Sequence, residues 1–595
     1  MPGIAGLISR RPPAECERIV NAMILAMVHE PFYRRGTHFA PELGVYGGWV
    51  TLSEAPAEVH FGMGEDRVLL RSGEMFLEES ELEKIGTGDD GDPSQELLRE
   101  LNGLFSGLLV DHRRSQAFLF NDRYGFDRLY LAQTGDDYYF ASEAKALLRV
   151  LPETRGFAED GVADFLSFGC TAENRTLFRG IHLLPGGSIW TFRNGQCQRQ
   201  RYFTPTEWES QPTLDERELQ TEFDRTFESA LPKYFANPKD LGVSLTAGLD
   251  SRLVMAGRPH AGSPICYTYE GGRGETRDAR LARNIAHAAG YDHRLVRLGA
   301  DFFADFSEHF ERTVLLTDGT FGATGAHELY LSRAARSLAP IRLTGVFGGE
   351  ILRGVSTFNF LRLDRRLLSH GIAARKELPT ANDHPVTAAA FKEIPWSIFG
   401  SLAACRSQLR FRTPYLDNDV VALAYRIPAT QSASSEAMLG MIRRKDPTLA
   451  TIPTDMGLLA NRSPLTSAQR LFARATFKLE YWCNDGMPHR LSPFESIMDR
   501  VSAGVALFGR HKYLRYRRWF RRELADYLRD ALNSASIRES GFWEKKFIDQ
   551  LAEAHIAGRG NFIQEISAVL TLDAVQRLLL GASNFVEAET VRTAV

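Results

Sequence analysis

The stretch Leu241 to Arg252, LGVSLTAGLDSR, constrains this chain more than any other. An apolar, β-prone run (Leu241, Val243, Leu245) stops at Thr246-Ala247-Gly248, and Asp250-Ser251 then opens a run to Ala256 that can be helical. The pattern predicts a strand, a small-residue turn and a helix N-terminus. In such a turn the backbone N–H groups of Ala247, Gly248 and Leu249 can close around phosphate oxygens, and the helix end adds partial positive charge. Thr246 and Ser251 contribute hydroxyl donors. Asp250 repels a phosphate and makes more sense as a ligand to Mg²⁺ carried by it. The competing reading is an ordinary strand-to-helix turn with Asp-Ser capping the helix.

The surroundings of this turn set its context. From Leu214 onward, helix-forming sequence alternates with short apolar strands at 241–245, 265–269, 293–298 and 341–343, a βαβ series that predicts a mostly parallel sheet. Ligands of such sheets lie at the carboxyl ends of the strands. Three of these strands run into suggestive turns: 246–248, Glu270 to Gly274, and Thr344-Gly345-Val346-Phe347-Gly348-Gly349-Glu350. Before about Arg201 the pattern differs, with β-rich runs such as 104–111, 116–122 and 138–141 separated by Gly, Asp and Asn turns. That is the signature of a layered α+β domain with antiparallel sheets. Residues 206–213, flanked by Pro205 and containing Pro212, form the expected linker. Beyond about Ser401 the chain reads as mainly helical.

Bulk properties narrow the function. A chain of 595 residues exceeds the ~250–300 residues of a single core, so several domains are expected. With 71 Lys+Arg against 74 Asp+Glu the whole-chain balance suggests neither nucleic acid nor a membrane surface as partner. Six scattered cysteines without a CxxC pair disfavour zinc and a disulfide framework, and point to a reducing cytoplasm. No apolar stretch approaches the ~20 residues of a membrane span. The segment His511 to Arg522 is rich in basic residues, with Tyr516, Phe520, Leu524 and Tyr527 at helical spacing, which reads either as a helix that holds an acidic ligand or peptide or, as such runs more often are, as a solvated face on a packed stripe.

Further short motifs follow in order along the chain: Leu101-Asn102-Gly103-Leu104-Phe105-Ser106-Gly107, Asn121-Asp122-Arg123-Tyr124-Gly125, Phe140-Ala141-Ser142-Glu143, Leu183-Leu184-Pro185-Gly186-Gly187, Thr344-Gly345 with Gly349-Glu350, and Arg412-Thr413-Pro414-Tyr415-Leu416-Asp417. With the 246–252 turn, similar to an SGGLDSS pyrophosphate loop, they make the sequence resemble the asparagine synthetase family. The resemblance implies an N-terminal αββα, Ntn-hydrolase-like glutaminase domain over residues 1–205. It also implies an α/β parallel-sheet ATP-pyrophosphatase (PP-loop) domain over 214–595, with a helical extension from about 431. ATP and Mg²⁺ are the implied cofactors. Asp250 and Glu350 are the implied metal ligands, Glu350, Asp250 and Ser251 the catalytic set, and the backbone at Tyr267, Thr268, Tyr269, Thr344 and Gly345 the adenine and ribose contacts.

The departures from the family carry as much information. Its N-terminal Cys nucleophile is replaced here by Pro2, which has neither thiol nor hydroxyl. The family's Asn-Gly-Glu resembles Ser72-Gly73-Glu74, so an amide donor is lost too. The first half is therefore expected to be a scaffold without glutaminase activity. In the family's Ser-Gly-Glu-Gly-Ala-Asp-Glu, the first acidic position has become Val346 and the Asp has become Gly349, leaving Glu350. The resemblance then implies an AMP-forming carbon–nitrogen ligase whose amine is free ammonia or belongs to the substrate. Relatives without the nucleophile include β-lactam synthetases and lasso-peptide cyclases. The leading expectation is a macrolactam cyclase acting on a peptide or small molecule that carries both carboxylate and amine, with a peptide-delivering partner or protease. The alternatives are an ammonia-using asparagine synthetase-like enzyme, an amidotransferase on a glycan precursor, and an inactive scaffold. Asp278 reads either as a magnesium partner or as a helix-start carboxylate, and Asp318 as substrate-facing or as part of an Asp-Gly turn. Arg443, Arg444 and Lys445 read as a solvated charge run that could include a catalytic cation.

Overall fold

The computed structural model describes residues 2–52, 60–62, 66–76, 95–259, 262–271, 275–369, 375–454 and 514–581, with isolated residues between 457 and 487. The N-terminal half is two six-stranded antiparallel sheets packed face to face. Its strands are β1 (Gly3–Ile8), β2 (Arg34–Ala40), β3 (Val45–Thr51), β4 (His60–Gly62), β5 (Arg67–Met75), β6 (Gly103–Asp111), β7 (Gln116–Asn121), β8 (Tyr130–Thr134), β9 (Asp137–Ala141), β10 (His182–Leu183), β11 (Ser188–Arg193) and β12 (Gln196–Arg201). One sheet runs β10-β8-β9-β1-β3-β2 and the other β12-β11-β7-β6-β5-β4. Side chains alternate between faces along each strand. Ile4, Trp49, Leu70, Leu108, Leu119, Phe140 and Phe192 thus meet between the sheets. The opposite face of the first sheet carries the helices Pro13–Ala26 and Ala144–Val150, through Ala5, Leu7, Val20, Ile24 and Leu147. Leu98 and Leu101 pack with Leu69, Phe105 and Phe118 on the outer face of the second. This is the expected αββα layering.

The second half is built on a five-stranded sheet of order β15-β14-β13-β16-β17, every pairing parallel. Its strands are β13 (Leu241–Ser244), β14 (Ile265–Glu270), β15 (His293–Arg297), β16 (Ile341–Thr344) and β17 (Arg410–Arg412). The chain moves outward from β13 through β14 to β15, then returns to the other side of β13 for β16 and β17. That reversal, at the carboxyl ends of β13 and β16, is where open sheets of this topology bind their ligands. The edge strand β17 lies within the region that reads as helical; three residues with arginine at both ends give no apolar alternation to detect.

The C-terminal helices, including Ala525–Leu532, Lys545–Ile556 and Ile563–Val575, share one core with helices of the parallel-sheet domain and with the Ala144–Val150 helix. Tyr516, Phe520 and Leu524 are buried there, so the stripe packs as expected, but Arg517, expected on the solvated face, is fully buried too; residues 511–513 of that segment lie outside the described residues. Among the described residues no helix is long and apolar enough to cross a membrane.

Candidate functional site

The turn after β13 is pre-shaped by its own side chains. Ser251, buried in the first turn of the helix Leu249–Ala256, accepts a 3.3 Å bond from the Thr246 N–H and lies 3.0 Å from the Thr246 hydroxyl. Thr246 Oγ1 in turn accepts from the Gly248 N–H at 3.3 Å. These are long bonds that a phosphate oxygen can replace at modest cost. A stronger one holds the Ala247 N–H, 2.7 Å from Asp278 Oδ1. Asp278 starts the helix Arg277–Ala288. Its observed role is to pin the turn from the neighbouring crossover.

The wall opposite is the loop after β16. Gly345 approaches so closely that a Cβ there would lie 2.3 Å from the Ser251 N. A Cβ at Gly348 would lie 2.6 Å from the Asp250 carboxyl. Only glycine permits both contacts. Between them Phe347 adopts φ 80°, the left-handed region that a bulky residue enters only under tertiary compulsion. It is fully buried, with ring centroids 6.5 Å from Phe126 of the N-terminal half and 6.4 Å from Phe411. Packing across the two halves therefore sets the path of this loop.

Asp250 and Glu350 face the same cleft from different helices. Burial pushes the Glu350 carboxyl above its ordinary value, and the negative charges of Asp250 and Glu393 push it the same way. Glu393 is itself committed, accepting from Ser356 Oγ at 2.8 Å and from the Thr357 N–H and hydroxyl at 2.7 Å. Among the described residues no three His, Cys, Asp or Glu side chains form a group that could hold a metal. Asp250 and Glu350, the two carboxylates expected to hold Mg²⁺, lie near enough for the charge of one to act on the other.

The residues expected to contact adenine, Tyr267, Thr268 and Tyr269, sit on β14. The Tyr267 carbonyl accepts from the Leu245 N–H at 2.8 Å, and Thr268 Oγ1 donates to the Leu245 carbonyl at 2.7 Å. Both extend the sheet just past the end of β13. By strand alternation the main chain of Tyr269 faces the same side as that of Tyr267, two residues beyond the partner of Ser244, the last residue of β13. It thus borders the crevice, as does Thr344 at the end of β16. Gly272, Arg273 and Gly274 of the expected glycine turn lie outside the described residues.

Three residues to which the sequence assigns no role brace this site. Arg252, fully buried, donates to the carbonyls of Ala247 at 3.3 Å, Leu449 at 3.3 Å, Pro453 at 3.0 Å and Ile452. Tyr415 donates to the Asp250 carbonyl at 2.8 Å. Arg353, at the end of the helix Gly348–Arg353, places Nη2 2.7 and 2.6 Å from the two carboxylate oxygens of Asp250.

Other readings are settled by position. Asp318 does form a left-handed turn, at φ 51°, but its buried carboxylate accepts from the Ala144 and Lys145 N–H groups at 2.7 and 3.2 Å and pairs with Lys145 Nζ at 3.0 Å. It caps a helix of the other half. Arg443, Arg444 and Lys445 are 40–49% exposed and pair with Glu436, Asp224 and Glu228. They are a solvated run.

A cavity of about 230 Å³ between the halves is lined by Pro2, Ser72, Glu74, Arg406 and Arg412 among others. Ser72 Oγ donates to Asp127 at 3.0 Å. Arg412 grips Glu74, with Nε 2.8 Å from Oε2, and reaches across to the Ala236 carbonyl at 2.7 Å. Of these lining groups, Glu74 is thus committed to a contact between the halves through Arg412, and Ser72 to Asp127 within the first half.

Residues 89–203 match the family described as glutamine amidotransferase domain, and residues 222–396 that described as asparagine synthase. The chain is 21% identical over 305 residues to "Putative asparagine synthetase [glutamine-hydrolyzing] 2" of Methanocaldococcus jannaschii, covering 48% of this chain and 56% of that protein. It is 26% identical over 286 residues to "Asparagine synthetase [glutamine-hydrolyzing] 2" of Arabidopsis thaliana, covering 44% and 43%. The chain spans about half the length of the curated relatives it matches. Among solved structures, a glutamine phosphoribosylpyrophosphate amidotransferase from B. subtilis complexed with ADP and GMP overlaps 74% of this chain and 93% of its own, at 10% identity and TM-score 0.25.

Proposed function

From the premise that this is a chain of the asparagine synthetase family, we propose that it is an ATP-dependent carbon–nitrogen ligase that activates a carboxylate as its acyl-adenylate and then forms an amide. The supporting observation is the crevice between β13 and β16. There a helix N-terminal turn, two hydroxyls and a carboxylate pair converge at the point where a parallel sheet binds its ligand.

In this reading the substrate carboxylate attacks the α-phosphorus of ATP, and the bond to the β-phosphate breaks. The 246–251 turn, through its N–H groups and the Thr246 and Ser251 hydroxyls, receives the departing pyrophosphate and holds it in line. Mg²⁺ held by Asp250 and Glu350 would neutralise the negative charge that develops on that leaving group. The main chain at Tyr269 and Gly345 orients the nucleoside. An amine then attacks the activated carbonyl and AMP leaves. In the alternative role, off the metal, Glu350 takes the amine's proton, since burial first and the charge of Asp250 next make its carboxylate a better proton acceptor than an ordinary one.

The nitrogen source follows from the first half. Pro2 offers no nucleophile, and Ser72 and Glu74 are tied to Asp127 and Arg412. The amine therefore belongs to the substrate or is free ammonia, and we favour an intramolecular macrolactam closure of the lasso-peptide type. The second reading is asparagine formation, the reaction in the names of the curated relatives, which are described as glutamine-hydrolyzing; here free ammonia would stand in for glutamine. Mass spectrometry after incubation with ATP, Mg²⁺ and peptides bearing a terminal amine and an Asp or Glu side chain decides between them. Loss of one water from a peptide, with AMP formed, is the expected result. Asparagine from aspartate and ammonia with all peptides untouched would overturn the cyclase reading, and glutamate released from glutamine would overturn the loss of the glutaminase.

A further inference from the structure

Arg353 combines three features that suit a phosphate-binding residue. Its guanidinium lies within 2.7 Å of both oxygens of Asp250, the residue on the first turn of the cradle helix. Its Nε, buried from solvent, has no hydrogen-bond partner. The side chain as a whole is nevertheless 20% exposed at the cleft. A guanidinium presents donors in a rigid planar fork suited to phosphate as well as to carboxylate. Here part of the fork is used and a buried part is left over.

The space it occupies is also informative. A Cβ at Gly349 would come to 3.3 Å from Arg353 Nη2, so a larger residue at that position would crowd the guanidinium. Position 349 is where the family pattern carries an aspartate. A carboxylate has thus gone from the cleft, and a cation sits against the place it would fill. A cleft whose resident acids are Asp250, Glu350 and Glu393 must gain positive charge to admit a polyphosphate.

We propose that Arg353 is a pyrophosphate-binding residue of the nucleotide site, which parks on Asp250 when the site is empty and turns its fork to phosphate oxygens when it is filled. Parked, it neutralises Asp250. Engaged, it shares the leaving group's charge with the turn amides and satisfies Nε. This rests on the nucleotide reading of the cleft given above and adds to it a cation that the family motif does not contain.

The test is calorimetric titration of inorganic pyrophosphate, in EDTA, into the wild-type protein and into Arg353→Met and Arg353→Lys, each checked for an unchanged melting profile. A parallel titration uses ATP with Mg²⁺. The expected result is a tenfold or greater loss of pyrophosphate affinity in Arg353→Met and a partial recovery in Arg353→Lys, which keeps the charge but not the fork. If Arg353→Met binds pyrophosphate as tightly as wild type while ATP still binds both, Arg353 is only a brace for Asp250 and the proposal falls with the ligase reading intact. If wild type binds neither pyrophosphate nor ATP, both fall. Should Arg353→Met misfold, Arg353→Lys decides alone: wild-type affinity there overturns the requirement for a guanidinium.

Discussion

Replacing Gly345 by alanine puts a methyl group 2.3 Å from the Ser251 nitrogen, 2.6 Å from its Cα and 2.7 Å from the Asp250 carbonyl carbon. All three are backbone atoms of the cradle helix, so no side-chain rotation relieves the contact. Ordinary contact begins near 3.4 Å, and the two loops must separate by about an ångström. Overpacking of this kind costs about 1–3 kcal/mol, which in a domain of this size lowers the melting temperature by about 2–4 °C per kcal/mol. The functional loss is larger, because a displacement of about 1 Å at a reacting centre can cost on the order of 10²-fold. Differential scanning fluorimetry and ATP titration measure the two effects separately. Gly541→Ala, whose added carbon meets nothing within 4 Å, is the silent control. If Gly345→Ala melts within a degree of wild type and binds ATP within twofold, the close approach of the two loops does not shape the site and the reasoning is wrong.

Three further outcomes follow from the same structure. Lys145→Met strands Glu143 and Asp318, which hold Lys145 Nζ at 2.7 and 3.0 Å in a buried contact between the halves; a loss of about 3–5 kcal/mol in urea unfolding is expected, and a loss under 1 kcal/mol would refute the contact's importance. Burial pushes His327 down to about 4 from 6.5, while its Nδ1 lies 3.0 Å from the Tyr516 hydroxyl. The unfolded chain then binds the extra proton, so this contribution is fully present above about pH 6.5 and fades as pH falls towards 4, by up to about 3 kcal/mol. Urea midpoints at pH 7 and 4.5 should diverge less in His327→Asn than in wild type. Pro2→Cys alone releases no glutamate from glutamine, because Ser72 cannot replace the missing amide and Glu74 stays bound to Arg412; measurable glutaminase activity in that variant would show that the pocket is still competent.

The turn at 246–251 was legible because its information is local: apolar alternation, small residues and a helix start lie within a dozen positions. The parallel sheet was legible from four of its strands for the same reason. What the sequence withheld is contact between distant segments. Arg353 meets Asp250 across 103 positions, and nothing in Ile351-Leu352-Arg353-Gly354 hints at that. Asp318 was read as a turn or as a substrate contact. It makes the turn, but its carboxylate caps a helix 174 positions away. Arg252 opened an expected helix, yet its fully buried guanidinium binds carbonyls about 200 positions downstream. Its burial depends on those carbonyls being present, which only the folded chain supplies. The Arg412-Thr413-Pro414-Tyr415-Leu416-Asp417 motif gave a family resemblance but no role. Folded, it staples the cradle to the other half, through Arg412 to Glu74, Tyr415 to the Asp250 carbonyl, and Asp417 to Asn102 at 2.9 Å.

The central claim is that the crevice between β13 and β16 binds the polyphosphate of ATP. Competition calorimetry addresses it without knowledge of the final substrate: ATP with Mg²⁺ is titrated into the protein alone and into protein saturated with pyrophosphate. One saturable site, masked by pyrophosphate and abolished by Ser251→Ala combined with Asp250→Asn, is the predicted result. Absence of saturable ATP binding, or binding indifferent to both pyrophosphate and those substitutions, would contradict it.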